Sequence, residues 1–102
     1  MLLTEMLNIA ADTPVTLDEV RVDGWGKTLT FTGRAGELRF VLQCDDCREM
    51  RWRTYAHAEA DQPTAVIEFK PGRDQHRSPA HLLTDHFGLS LFYGALTITP
   101  RP

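Results

Sequence analysis

The stretch Gly36-Glu37-Leu38-Arg39-Phe40-Val41-Leu42-Gln43-Cys44-Asp45-Asp46-Cys47-Arg48-Glu49-Met50-Arg51-Trp52-Arg53-Thr54-Tyr55-Ala56-His57 decides the fold. Leu38, Phe40 and Leu42 fall on one side of an alternating template, and Met50, Trp52 and Thr54 fall on one side of another. A period of two is the mark of a strand with one buried face, because successive side chains point to opposite faces. Between the runs sits Cys44-Asp45-Asp46-Cys47, whose aspartates favour a turn. The stretch reads as a long antiparallel hairpin at the centre of a sheet. It predicts one core holding Leu29, Phe31, Leu38, Phe40, Leu42, Met50 and Trp52. With Trp52 inward, Arg51 and Arg53 must project outward.

The flanks extend the same pattern. Upstream, Thr28 to Thr32 alternates, with Leu29 and Phe31 on one face and threonines on the other, and Gly33 to Gly36 turns the chain. Gly24-Trp25-Gly26 is a turn with an aromatic at its tip. Val15, Leu17, Val20 and Val22 change parity around Asp18-Glu19, which predicts a bulge. Residues 2–10 fit a short helix with Leu3, Met6, Leu7 and Ala10 near one face, ended by Asp12 to Pro14. Downstream, 58–63 is a polar loop and Thr64 to Phe69 a compact strand of β-favouring residues. Pro71 to Pro79 is the most polar segment.

Two readings compete for 79–88. Ser78-Pro79 and Gly88 punctuate a helix, whereas Leu82-Leu83-Thr84 and the neighbours on both sides fit a strand. A strand is preferred over a short helical turn near 79–87. Leu89 and Leu91 then sit on one parity and Leu96 and Ile98 on the other, so Tyr93-Gly94 must break the alternation. Seven to eight short strands predict a mainly β, small antiparallel barrel or sandwich forming one domain over 1–102.

Composition removes several classes of function. A chain of 102 residues has room for one core, and 42% hydrophobic with 25% charged residues is ordinary for a folded globular domain. The net charge of −3 argues against general polyanion binding, so nucleic acid is not an expected partner. No Gly-rich strand-to-helix turn suggests a dinucleotide or nucleotide phosphate site. The first residues carry an acid, Glu5, within their apolar part and lack the basic flank of a secretory signal. No run approaches the ~18 to 20 apolar residues of a membrane span. Two cysteines are too few for a secreted disulfide framework. A cytoplasmic protein without cofactor is the expectation.

Three constellations could carry chemistry. Cys44 and Cys47 would supply half of a zinc site, with His76, His81 and His86 as the remaining donors. Successive histidines are five apart, which places them on opposite faces of a strand and about 140° apart on a helix. As a redox pair, Cys44 and Cys47 enclose two aspartates whose charge raises thiol pKa values. Two structural thiols flanking a turn is the stronger reading, and no bound metal is expected. Arg51 and Arg53 share a strand face beside Tyr55 and could clamp a carboxylate or a nucleic-acid phosphate, against the plainer reading of a solvated face partnered by Glu37, Glu49 or Glu68. The loop residues Arg73, His76 and Arg77 could extend that patch. Neither serine lies in a nucleophile motif, and Asp85-His86 on a strand would point apart, so no catalytic dyad is expected.

The reading that follows is a small non-enzymatic binding domain of inhibitor or immunity type, acting on a protein partner with an acidic contact surface. Its contact residues would be Trp25, Arg51, Arg53, Tyr55, Arg73, His76 and Arg77. A homodimer is the other partner left open. An apolar-ligand-binding barrel, with Phe31, Phe40, Trp52 and Phe69 around a cavity, is the alternative. A zinc-binding domain built on Cys44 and Cys47, or an enzyme joining His76 and His86, stands behind those.

Overall fold

The structure is a computed structural model that describes residues 2–56 and 62–101. His57 and most of the polar loop expected over 58–63 lie outside the described residues. A short helix α1 (Leu2–Met6) precedes strands β1 (Val15–Asp23), β2 (Thr28–Ala35), β3 (Leu38–Asp45), β4 (Arg48–Thr54), β5 (Thr64–Lys70), β6 (Ala80–Thr84), β7 (Phe87–Phe92) and β8 (Ala95–Arg101). All pairings are antiparallel, in the order β4-β7-β6-β5-β1-β2-β3-β8. The fold is mainly β, as the alternation predicts.

The sheet folds over at its middle. β1 and β5 pair only through Thr16↔Ala65 and Leu17↔Thr64. That short seam lets β8-β3-β2-β1 lie face to face with β5-β6-β7-β4. Phe31 of β2 and Phe87 of β7 stack across the interior at 6.3 Å, and the buried residues of both halves form one apolar cluster. The result is a sandwich made from a single sheet.

Local sequence explains most elements. β2 alternates half-buried threonines with buried Leu29 and Phe31. The bulge expected in β1 falls at Asp18, between the pairs Leu17↔Gly33 and Glu19↔Thr32. Its extra residue resets the parity, so Val20 and Val22 lie opposite the inward Phe31 and Leu29. Gly33 is required beside this bulge: a Cβ there would stand 2.3 Å from the Thr16 carbonyl oxygen. The helix α1 stops earlier than the 2–10 pattern predicts. Asn8 takes the left-handed conformation (φ 59°) that ends helices. Leu3 and Leu7 are buried, while Met6 and Ala10, expected on the same face, are exposed.

Residues 79–87 form no helical turn. Asp85-His86 is the tight connection of the hairpin β6–β7. Thr84 holds that turn, its hydroxyl oxygen accepting from the His86 and Phe87 amides at 3.1 and 3.0 Å.

The central hairpin does not form. β3 pairs with β2 and β8, and β4 pairs with β7. Asp46-Cys47 instead carries the chain from one half of the sandwich to the other. Two alternating runs separated by a short polar link look the same in either topology. What decides is the backbone: Asp46 is left-handed (φ 53°), and the Cys47 amide donates to the Lys27 carbonyl at 2.8 Å. β4 is therefore an edge strand. Trp52, expected in the core, stacks on Phe87 at 4.2 Å yet stays 41% exposed, because no strand among the described residues lies beyond it. Leu38 and Met50 are partly buried, and the other four expected core residues are buried.

The chain returns to the first half through Tyr93-Gly94, directly beside the outgoing link. The Gly94 amide donates to the Asp45 carbonyl at 2.9 Å. The loop 71–79 clasps both links. Gln75 and His76 donate backbone amides to Gly94 and Tyr93 at 2.9 and 2.8 Å, and His76 Nε2 meets the Asp46 carbonyl at 2.8 Å. No helix among the described residues is long and apolar enough to cross a membrane.

Candidate functional site

Strand register assembles one groove on the outer face of the β4–β7–β6–β5 half. Arg53 lies opposite Gly88, Gly88 opposite Leu83, and Leu83 opposite Glu68. The next row on that face is Arg51, Ser90, His81 and Lys70. Directly opposed residues share a face, so the two rows form one surface. Its middle strand carries only Gly88 and Ser90. Small side chains there leave a depression of about 340 Å³ between the arginines of β4 and the His81 and Leu83 side chains of β6.

The edge position of β4 shapes the electrostatics. Arg51 and Arg53 are exposed, and neither makes an ion pair among the described residues. Of the three acids expected to partner them, Glu68 lines the groove but bridges Lys70 at 3.5 Å. Tyr55 closes one end, its hydroxyl 3.2 Å from where a Cβ on Gly88 would sit. Its backbone amide donates to the His86 carbonyl at 2.9 Å, fixing the residue to the β6–β7 turn. Arg51, Arg53 and Tyr55 are thus brought together.

The other expected contact residues lie elsewhere. Trp25 occupies the tip of the β1–β2 connection, left-handed (φ 63°) and fully exposed. Arg73 and Arg77 line a separate depression with Tyr93, Ala95 and Leu96, and Arg77 pairs with Asp74 at 2.7 Å. His76 faces Asp46, its ring nitrogen 3.4 Å from the carboxylate that Lys27 and Arg48 also approach. These three loop residues do not continue the Arg51–Arg53 surface.

Cys44 and Cys47 are free, buried thiols at the outgoing link. The Cys47 thiol donates to the Cys44 carbonyl at 3.3 Å. Burial, the neighbouring Cys47 and Asp45 push the Cys44 thiol up to about 12, and burial raises Cys47 as well. Thiols held protonated are poor nucleophiles and poor ligands. The described histidines are dispersed: His76 in the loop, His81 on the outer groove, His86 in the β6–β7 turn. No group of three or more metal-ligating side chains occurs among the described residues.

One contact escaped the sequence reading, and one apolar cavity differs from the one it expected. Asp85 and His86 do touch, Asp85 Oδ1 to His86 Nδ1 at 2.7 Å, because they occupy a turn and not a strand. The same oxygen accepts from the Thr64 hydroxyl at 2.6 Å and the Ala65 amide at 2.9 Å. The Thr64 hydroxyl, followed by His86, draws the Asp85 carboxyl down to about 2. The cavity is an apolar groove of about 290 Å³ between β1 and β4, lined by Val20, Phe31, Trp52, Thr54, His86 and Phe87 among others. Phe40 and Phe69, expected around such a cavity, are buried in the filled core instead. The exposed valines of β1 were the available signal.

No family model matches the chain, and no curated protein matches it. The crystal structure of an uncharacterized protein from Neisseria gonorrhoeae is similar to it at 13% identity, over 88% of this chain and 92% of that one, with a TM-score of 0.48. At that level the likeness adds nothing to the reading of the site.

Proposed function

We propose that the domain binds an acidic segment of a partner protein across the Arg51–Arg53 groove and has no catalytic role of its own. The observation that carries this is the pair of guanidinium groups on the edge strand β4, without an ion pair among the described residues, set over a floor of Gly88 and Ser90. Two planar forks on one strand face present paired donors to carboxylates with little ordering cost. Tyr55 adds a fixed amphipathic ring at one end, the residue type that anchors interfaces. Leu83 gives the opposite wall an apolar patch.

A selection of random peptides displayed on phage against the folded domain tests this. Enriched peptides should be acidic, and calorimetry should show their affinity falling as salt rises. Reversing both charges (Arg51→Glu with Arg53→Glu) should weaken them by on the order of 2 kcal/mol or more while the melting transition stays in place. Peptides without acidic enrichment, or equal binding by the folded double variant, would overturn the proposal.

The apolar groove favours a second reading, in which Trp52 and Phe87 take a small apolar ligand. Its signature would be a change in tryptophan fluorescence on adding an apolar dye, abolished by Trp52→Ala and untouched by the charge reversals.

A further inference from the structure

Three arginines stand side by side on the other broad face of the sandwich. Register places Arg34 of β2 opposite Arg39 of β3, and Arg39 opposite Arg101 of β8. Opposed residues share a face, so the three exposed side chains project together. Like charges directly opposite one another destabilise a sheet. Only Arg34 has a counter-charge among the described residues, the bulge residue Asp18 at 3.5 Å. Arg39 and Arg101 make no ion pair there.

The row forms one end of a trough of about 840 Å³ that runs along β2. Thr28, Thr30 and Thr32 make the floor, with Val41 and Gln43 on the β3 side. The acids that line it, Asp18, Glu19 and Asp23, all stand on β1, and Asp23 is engaged with Arg21 at 3.3 Å. Three acids and Arg21 thus occupy the β1 wall, while Arg39 and Arg101, without an ion pair among the described residues, stand at the β3–β8 end. Thr32 and Thr99 follow in the next row, with Val41 between them, and bring hydroxyl groups beside the guanidiniums.

We infer that Arg34, Arg39 and Arg101 form a binding site for a small oxyanion of two or more negative charges, with a diphosphate group as the best match. Strands lie ~4.8 Å apart, so the outer arginines spring from positions roughly 10 Å apart. A diphosphate has acceptor oxygens at both ends and can be forked from each side with the central arginine between. An anion there turns the like-charged Arg39 and Arg101, with Arg34 beside them, into donors on one acceptor set. The site lies on the opposite face from Arg51 and Arg53, so it stands or falls independently of the protein-binding proposal.

The test is a titration of inorganic pyrophosphate into ¹⁵N-labelled protein at low salt, with monophosphate and chloride at matched ionic strength. Saturable amide shifts confined to the Thr32–Arg34, Arg39–Val41 and Thr99–Arg101 segments are expected, tighter for pyrophosphate than for monophosphate. The variant Arg39→Gln with Arg101→Gln should melt at or above the wild-type temperature, since it relieves repulsion, and should lose affinity by about tenfold or more. Non-saturating shifts, shifts that chloride reproduces, shifts centred on Arg51 and Arg53, or unchanged affinity in the double variant would each overturn it.

Discussion

Replacing Asp85 with alanine removes a carboxylate on one oxygen of which three donors converge. Thr64, Ala65 and His86 all reach Oδ1, at 2.6, 2.9 and 2.7 Å. Thr64 and Ala65 are also the β5 residues of the seam with β1, so the carboxylate ties the β6–β7 turn to the place where the sheet folds over. A hydrogen bond to a charged group is worth about 1.5 to 3 kcal/mol when shielded. The Asp85 side chain is 49% exposed, and water replaces much of what is lost. The whole substitution should therefore cost about 1 to 2 kcal/mol at neutral pH. The same contacts hold the folded pKa at about 2, below the ordinary 3.8. A depressed carboxyl stabilises the fold fully above its unfolded pKa and loses that contribution as pH falls through its folded pKa. Urea denaturation of wild type and Asp85→Ala at pH 7, 4 and 2.5 measures this directly. The difference between them should be largest at pH 7, similar at about pH 5, and should shrink steadily between about 4 and 2. A gap that stays constant down to pH 2.5 would show that the carboxylate contacts do not stabilise the fold.

The core and the thiols give two further predictions. Phe40→Ala empties a fully buried position opposite Gly33 and should cost about 3 to 5 kcal/mol, read as a large fall in the denaturation midpoint. A variant as stable as wild type would contradict the packing described. Cys44, raised from 9.0 to about 12, should carry about a thousandfold less thiolate at pH 8 than an unperturbed thiol. Labelling with a chromogenic disulfide should accordingly be slow in the native protein and fast in urea, and equal rates would place the thiol at the surface.

What was legible in the sequence is whatever depends on neighbours along the chain. The alternation in 28–32 and 38–42, the bulge at Asp18-Glu19 and the break at Tyr93-Gly94 are local signals, and each marks a real element. Pairing is not local. Nothing in the run from Leu38 to Thr54 records that β3 takes β8 as its second neighbour, or that β4 goes to an edge. The misplacement of Trp52 follows from that one error: its parity is right, but no further strand arrives to cover it. The outward direction of Arg51 and Arg53 follows from parity alone, which survives a wrong topology. The Arg34–Arg39–Arg101 row was invisible for the opposite reason, since its members are distant in sequence and meet only through register. The Asp85–His86 contact was hidden by assigning a turn to a strand.

The side-by-side links at Asp46-Cys47 and Tyr93-Gly94 dictate an order of assembly. β1, β2 and β3 are joined by short connections and can zip together as soon as they exist. The remaining edge of β3 has to wait for β8, about fifty residues later in the chain. Until that strand docks, Leu38–Asp45 presents an unpaired backbone row above apolar side chains, the kind of surface that recruits other chains. Closure through such distant partners is slow, on the order of milliseconds to seconds for sheets of this kind. Docking of β8 thus covers the edge of β3, and a chain stalled before residue 95 leaves that edge open.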